Sequence, residues 1–578
     1  MNGSEDNTQF CESLVGQSDT LKASLHMKKK VLFFVSPSQF VNKPYFKASS
    51  HGADLLSYGI DRNKYEVSYY DLDAYIIKNG FNNFDNFLEE NIIKDYDYVL
   101  CSLNFSWPFG FYPKNKVSNK IKIKFTNIIK NKLKTDFLVL SKIINYLHES
   151  FYSESHLKES FIEDIYTFLN LKIDFCLSIT YSILKKLKQK NKDTLILCGG
   201  SGWDRVNLEY FDNLLDLIYY GEFPSDKIND LLEGNVYLGE KNKIISNNNY
   251  FKKTYGNKKY FNIPFPEKNI FKNISDLKIS YKDIFSSFNY SVPKEYENKF
   301  IQTASFSFMS GCPGKCSFCG DGTKNLKVLP DKKIKDIIKY SINELGYNSF
   351  MFFNDNLTIN RKFVEDFCNW IIKENIKIFW SDSCKLSITD LDFFKMLYES
   401  GARYICFGSE VIDSKMLKYI NKGITVEQIK EGLINSHKAG IWNNSCFIFG
   451  LPYETPEVID STLSFIESYN EYIDDFSLNM FRIDKTSPFY KYPQEFNIKI
   501  ENNSWHEKDK DFTKIMKESE INSIYIYNKT KNLPICRDMN QHVLFALYDI
   551  FKDKEKVKEW INKNVSHIPE NFFFDIFL

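Results

Sequence analysis

The sequence predicts an α/β chain. It starts with an N-terminal doubly wound, Rossmann-like parallel sheet, continues into a partial (βα)6 barrel of TIM type, and ends in a small, mainly helical module. Two observations carry this expectation. Short apolar runs alternate with helical stretches from residue 28 to 233, and again from 298 to 483. Strands alternating with helices call for parallel sheets joined by crossovers. Size agrees, since 578 residues with 43% apolar and 16% aromatic side chains can build several cores.

Residues 1–26 are polar and rather acidic, and are expected to be a disordered tail or sequence upstream of an alternative start at Met27. A first domain spans 27–233. Its strand candidates are VLFFVSP (31–37), YEVSYYDL (65–72), YDYVLCSLN (96–104), IDFCLSIT (173–180), TLILCGGSG (194–202) and DLIYYGE (216–222). HGADLLSYGI (51–60) and SILKKLKQK (182–190) read as helices, and about 105–170 as a helical insertion. Residues 234–297, rich in Asn and Lys with Pro264, Pro266 and Pro293, read as a partly ordered linker.

The barrel is expected over 298–500. Its strand candidates are FIQTASFSF (300–308), SFMFFND (349–355), KIFWSDS (377–383), RYICFGSE (403–410), NNSCFIFG (443–450) and DDFSLNMF (474–481). TVEQIKEGLINSHKAG (425–440) is helical, with Gly440 at its C-terminal cap. In such barrels chemistry sits at the carboxyl ends of the strands. Residues 501–578 form the helical module, read either as a cap on the barrel mouth or as plain packing.

Charge excludes some classes of partner. Lys and Arg number 75 and Asp and Glu 74, a net charge of +1, which leaves no footprint for nucleic acid. The basic stretch Lys114–Lys134 is interleaved with Ile, Phe and Asn and reads as a solvated helix face. No apolar run reaches the ~20 residues of a membrane span. The start lacks a secretory pattern, so a cytoplasmic, reducing setting without disulfides is expected. Nine cysteines (11, 101, 176, 198, 368, 384, 406, 446, 536) stand alone and read as small buried hydrophobes.

Three cysteines cluster. GCPGKCSFCG (311–320) follows the first barrel strand and spaces Cys312, Cys316 and Cys319 as C-x3-C-x2-C. A structural zinc site wants four ligands, usually paired C-x2-C knuckles. No fourth Cys or His lies near in sequence; the next cysteine is Cys368. Three thiolates on one loop suit an iron–sulfur cube with one iron left open.

This loop, with Phe318 before its third cysteine and a βα barrel around it, resembles the radical SAM superfamily over about 185 residues. The resemblance implies a [4Fe–4S] cluster on Cys312, Cys316 and Cys319, with S-adenosyl-L-methionine (SAM) on its open iron. It implies SAM-binding roles for Phe318, Gly320, Asp355 and Glu410. Asp355 lies in Asn354-Asp355-Asn356 after the second strand, and a helix N-cap is the alternative role for it. Glu410 ends FGSE on the fourth strand, where a buried, paired carboxylate is the alternative. Asn421-Lys422-Gly423 follows, as in many relatives. FIFGLPYET (447–455) resembles the segment that packs near adenine. Cys446 stands where the family has its first glycine, and Glu454 falls one residue late, so only backbone packing is assigned there. The implied chemistry is one-electron cleavage of SAM to a 5′-deoxyadenosyl radical that abstracts a hydrogen atom. The electron would come from an external reductant such as flavodoxin or ferredoxin.

The order GG-turn, helix, DLIYYGEF also resembles the cobalamin-binding domains fused to such barrels, over about 200 residues. This implies a cobalamin-binding type of sheet with Ser36, Ser178, Gly199, Gly200, Ser201, Gly221 and Glu222 at the corrinoid. The Ser178–Tyr181 stretch is expected to be a turn. The D-x-H-x-x-G motif is absent: His51 lacks the preceding Asp, so cobalamin without a His ligand is expected, or a degenerate domain that binds none.

The resulting expectation is a cobalamin-dependent methyltransferase. It would move a methyl group from SAM, via methylcobalamin, to an unactivated carbon of a peptide or other small natural product. The alternatives are non-methylating radical chemistry, such as cyclisation, ring rearrangement or epimerisation, and a non-catalytic metal-binding scaffold.

Overall fold

A computed structural model describes residues 28–37, 51–81, 83–103, 176–200, 214–220, 227–238, 243–255, 274–320, 325–501, 504–507 and 541–564. Trp203, Phe211 and Phe223 are also described; residues 247, 287, 289, 482 and 485 are not. The expected tail (1–26), the insertion (about 105–170), and Ser201, Gly221 and Glu222 lie outside the described residues.

The first sheet is built from β1 (Lys29–Val35), β2 (Tyr65–Asp71), β3 (Tyr98–Ser102), β4 (Leu195–Gly199) and β5 (Leu217–Tyr220). Beyond β5 come β6 (Asn235–Leu238), β7 (Lys243–Ile245) and β8 (Lys252–Tyr255). The order is β2-β1-β3-β4-β5-β7, parallel except for the antiparallel edge β7. The unbroken apolar run of β1 is what a strand covered on both faces requires. Leu32 and Phe34 enter one core; Val31, Phe33 and Val35 enter the other. Helices α1 (His51–Gly59) and α2 (Leu72–Asn79) follow β1 and β2. Asp71 caps α2 by accepting from Ala74 N.

IDFCLSIT is not a strand where it is described. Residues 176–190 form one helix, α3, and Cys176, Ile179, Ile183 and Leu187 are buried at helical spacing. A short β-branched apolar run cannot be told from a buried helix by periodicity alone. Ser178 therefore sits inside a helix, not on a turn.

The second sheet holds β9 (Lys278–Ser280), β10 (Phe300–Phe306), β13 (Ser349–Phe352), β14 (Phe379–Cys384), β15 (Ala402–Glu410), β16 (Trp442–Phe449) and β17 (Asp475–Met480). Two short strands, β11 (Met309–Ser310) and β12 (Lys327–Val328), pair with each other after β10. From β10 to β17 neighbours are parallel and in chain order, and β9 pairs antiparallel at the open edge. All six predicted barrel strands are present. The residues read as a linker supply strands to both sheets, β7 and β9. Helices α4 (Asp331–Asn343), α5 (Arg361–Lys373), α6 (Leu391–Glu399), α7 (Ser414–Tyr419), α8 (Val426–Lys438) and α9 (Pro456–Ser468) cover the outside. Thr425 and Gln428 form a capping box on α8, and Gly440 closes it at φ 91°.

The C-terminal helices α10 (Gln541–Phe551) and α11 (Lys554–Asn564) sit at the opposite end from a mouth. His542 to Tyr548 are all buried, and a helix apolar all round must be surrounded. It packs on Ile301 and Trp442, at the amino ends of β10 and β16. Phe545 stacks on Phe379, at the start of β14, with ring centres 5.9 Å apart. The pair therefore plugs the base of the barrel. A buried ionic network locks it there. Lys554 Nζ lies 2.6 Å and Lys558 Nζ 3.0 Å from Asp474, which also accepts from Asn443 N. Arg403 lies over Tyr398 at 3.9 Å and donates to the carbonyls of Tyr398 and Ala402.

Burial in this plug pushes the His542 pKa down to about 3. The unfolded chain takes up a proton near pH 6.5 that the folded chain refuses. The stability contributed by neutral His542 is complete above that value and is lost as pH falls through it towards 3. Wild type should thus lose roughly 2 kcal/mol more than His542→Leu between pH 7 and pH 5, measured by denaturant unfolding.

Candidate active site at the carboxyl ends of the barrel strands

The cysteine loop follows β10 and β11. It has no regular structure of its own, so its backbone must find partners elsewhere. Gly311 N donates to Asp355 Oδ2 at 2.5 Å, and Ser317 N donates to Ile420 O at 2.8 Å. The Lys315 carbonyl accepts from Asn421 Nδ2 at 2.9 Å, and the Ser317 carbonyl accepts from Phe489 N. Gly311 (φ 88°), Lys315 (φ 54°), Asn421 (φ 50°) and Gly423 (φ 66°) are left-handed. Tight reversals thus bring β13, β15 and the loop after α7 onto one rim.

Two of the three thiols share one space. A Cβ on Gly314 would lie 3.1 Å from Cys312 Sγ and 3.9 Å from Cys316 Sγ, so both sulfurs border the same small space. Cys316 is buried; Cys312 and Cys319 are half-buried. Burial pushes the Cys316 thiol up, while the ammonium groups of Lys422 and Lys385 pull it back. Three sulfur donors on one turn beside two cations, with no histidine between them, fit an anionic iron–sulfur cube with an open position.

Glu410 ends β15 in a left-handed conformation, φ 62°, beyond a register shift at Gly408. A non-glycine residue held there stores of order 1 kcal/mol of strain, a mark of functional sites. Its carboxylate meets Lys422 Nζ at 2.6 Å, both side chains about nine-tenths buried. Burial opposes the Lys422 charge, but Glu410 and the nearby Cys316 together raise the ammonium. Lys422 also lies 5.7 Å from the Phe318 ring centre. Gly320 has no room for a side chain: a Cβ would come within 2.0 Å of Thr486 Oγ1 and 2.7 Å of Asp484 Oδ2. At the end of β16, Gly450 N donates to Glu454 Oε2 at 2.7 Å and Tyr453 N to Glu507, so Glu454 closes its own loop.

Cys312, Cys316, Cys319, Phe318, Gly320, Asp355 and Glu410 therefore share one rim. Asn356, not Asp355, caps the short helix after β13. Sequence reasoning gave no role to Lys422, Lys385, Asn354 or Asp382. Their signal was available only as polar residues just past strand ends.

The first sheet offers a separate edge. Its order reverses direction between β1 and β3, the point where open α/β sheets bind ligands. Ser36 N donates to Ser102 O at 2.8 Å, and Leu103 N to Gly199 O at 3.0 Å, joining the ends of β1, β3 and β4. Ser36 is fully buried and bonded to Thr180 Oγ1 at 3.0 Å and Cys101 Sγ at 3.3 Å. Ser178 is buried on α3. Neither side chain lies on the outer edge. Gly199 and Gly200 (φ 103°) do lie at the strand end.

Over residues 306–466 the chain matches the Radical SAM superfamily. The chain carries a radical SAM domain. That domain contains the whole cysteine loop, Asp355, Glu410 and Lys422. Its family uses a [4Fe–4S] cluster and SAM. The anaerobic magnesium-protoporphyrin IX monomethyl ester cyclase of Rubrivivax gelatinosus is 25% identical over 256 residues, 44% of this chain and 45% of that one. An uncharacterized methyltransferase of Pyrococcus horikoshii is 30% identical over 158 residues, 27% of this chain and 34% of that one. The chain thus spans less than half the length of either relative. Beyond the radical SAM domain, the fold resembles the cobalamin-dependent S-adenosylmethionine radical enzyme OxsB with aqua-cobalamin bound. The TM-score is 0.50 at 14% identity, covering 94% of this chain and 73% of that one.

Two glycines and one lysine test the rim. Gly320→Ala should displace the 484–486 loop. Gly408→Ala, whose Cβ would fall 2.6 Å from Glu410 Oε1 and 2.7 Å from Lys422 Nζ, should split the ion pair. Both should lower iron content; Gly408→Ala, which disturbs a buried ion pair, should also lower the melting temperature. Lys422→Met should destabilise folding by about 3 kcal/mol, because it strands a buried carboxylate, and Glu410→Gln on top should restore most of it. Chemical denaturation of the three proteins measures this.

Proposed function

We propose that this chain is a cobalamin-dependent radical SAM methyltransferase. It would transfer a methyl group from SAM, via methylcobalamin, to an unactivated carbon of a peptide or natural-product substrate. The observation that carries the reading is one chain joining two parts: a radical SAM domain with three cysteines on one rim loop, and an open parallel sheet with a switch point between β1 and β3. The fold likeness to OxsB, described with aqua-cobalamin bound, supports the same pairing.

Cys312, Cys316 and Cys319 hold the cluster, and Lys385 and Lys422 offset its negative charge. Glu410, aimed inward by its strained backbone, takes the ribose hydroxyls of SAM. Asp355, beside Gly311, takes the SAM amino group. Gly320 and Phe318 line the approach. When bound, cluster and SAM supply one-electron C–S cleavage and hydrogen-atom abstraction, and the corrinoid supplies the methyl group. The α10–α11 plug closes the base of the barrel, so water is excluded from below and the reacting carbon enters at the rim. At the first sheet Gly199 and Gly200, by the crevice between the ends of β1 and β3, would hold the corrinoid; Ser201, Gly221 and Glu222 are proposed as further ligands from the sequence alone. Ser36 and Ser178 support it from inside. An external one-electron reductant completes the cycle.

A second reading has its own support. Curated relatives include an anaerobic cyclase, which favours non-methylating ring closure on the same scaffold.

Anaerobic reconstitution with iron, sulfide and cobalamin should load about four iron atoms and one corrinoid per chain. With SAM and reductant it should then form S-adenosylhomocysteine and a product one methylene heavier. Cluster without corrinoid or S-adenosylhomocysteine would sink the methyltransferase reading. Turnover at unchanged carbon count would favour ring closure. Cys312→Ala should abolish cluster and turnover; unchanged iron would point to a non-catalytic scaffold.

A further inference from the structure

Asp382 lies at the end of β14, 4% exposed, and belongs to none of the roles above. Its Oδ1 accepts from Ser383 N at 2.8 Å and Asn354 N at 3.2 Å. Its Oδ2 accepts from Asn354 Nδ2 at 2.6 Å. The other end of that amide, Asn354 Oδ1, accepts from Phe308 N at 3.1 Å and Met309 N at 2.8 Å. The next residue, Asp355, takes Gly311 N. Two consecutive residues past β13 therefore hold three backbone N–H groups in the four residues before Cys312.

The amide has one workable orientation. Its NH2 end must face a carboxylate and its oxygen must face two N–H donors. Turned over, it would set donors against donors and oxygen against carboxylate. The two fixed N–H groups call for the oxygen on their side, and Asp382 gives the NH2 end its acceptor, so both ends hold the amide in that orientation.

We propose that Asp382 is a positioning residue. Through the Asn354 amide it holds the Phe308–Met309 backbone, and so the direction in which the cysteine loop leaves the barrel. This rests on reading Cys312, Cys316 and Cys319 as the cluster ligands. Asp382 hydrogen-bonds to Ser383 N and to Asn354. It acts as the outer partners of metal ligands do, fixing the orientation of groups that ligate.

The test reverses the polarity of one hydrogen bond. In Asp382→Asn an NH2 group faces the Asn354 NH2 group, and the amide turns away from Phe308 and Met309. Adding Asn354→Asp supplies a carboxylate that accepts from the new amide at position 382 and from both backbone N–H groups. The double variant thus rebuilds the relay with donor and acceptor exchanged. In reconstituted protein, Asp382→Asn should release iron to a competing chelator about 10-fold or more readily and shift the electron paramagnetic resonance spectrum of the reduced cluster. The double variant should recover both. A wild-type spectrum and iron retention in Asp382→Asn, or a double variant as poor as the single, overturns the proposal. Cluster-free protein gives an independent answer. Hydrogen exchange in the peptide holding Phe308 and Met309 should quicken in Asp382→Asn and slow again in the double variant. Unchanged exchange overturns the relay, whatever the cluster does. Failure of wild type to take up a cluster overturns the reading of the cysteines and leaves the exchange result standing.

Discussion

The loop that carries the three thiols is neither strand nor helix, and its peptide groups still need partners. That constraint organises the barrel rim. Between Phe308 and Phe318 the backbone is held by Asn354 and Asp355 from the end of β13, and by Ile420 and Asn421 from the end of α7. Each partner stands just past a regular element. There a side chain or carbonyl is no longer consumed by its own ladder. The left-handed turns at Gly311, Lys315, Asn421 and Gly423 are what this close weaving requires.

Two buried ion pairs show how the same physics serves different ends. Asp474 and Lys554 are sealed at the base among apolar helices. Desolvation there costs about as much as attraction returns, so their value is in holding the plug in one register. Glu410 and Lys422 lie at the rim, equally close at 2.6 Å. Their neighbours are thiols, and the carboxylate is aimed by a strained backbone. The lysine is charged by Glu410 and in turn draws on Cys316, so one contact links two parts of the site.

Cys446 lies on β16 beside Cys406 of the neighbouring β15. Its sulfur lies 3.1 Å from that of Cys406, and both lie close to the Asn444 side-chain oxygen. These are small, half-buried polar groups on the inward face of β15 and β16, not the inert core fillers that isolated cysteines suggest.

The sequence by itself determined the architecture, because parallel strands covered on both faces must be unbroken apolar runs and their turns must be polar. VLFFV and SFMFF were legible for that reason. So was the cysteine loop, since ligand spacing is local. IDFCLSIT reads as a strand because a short, mainly apolar run satisfies a strand and a buried helix alike; only packing against the sheet selected α3. Residues 501–578 were legible only as a mainly helical module; the place of the helix 541–551 under the barrel rather than over it depends on Ile301, Phe379 and Trp442, residues distant in the chain. Glu410 with Lys422, and Asp382 with Asn354, were decided only in three dimensions. Each partnership joins the end of one strand to a different element, and nothing in the spacing of a chain records which strand ends will meet.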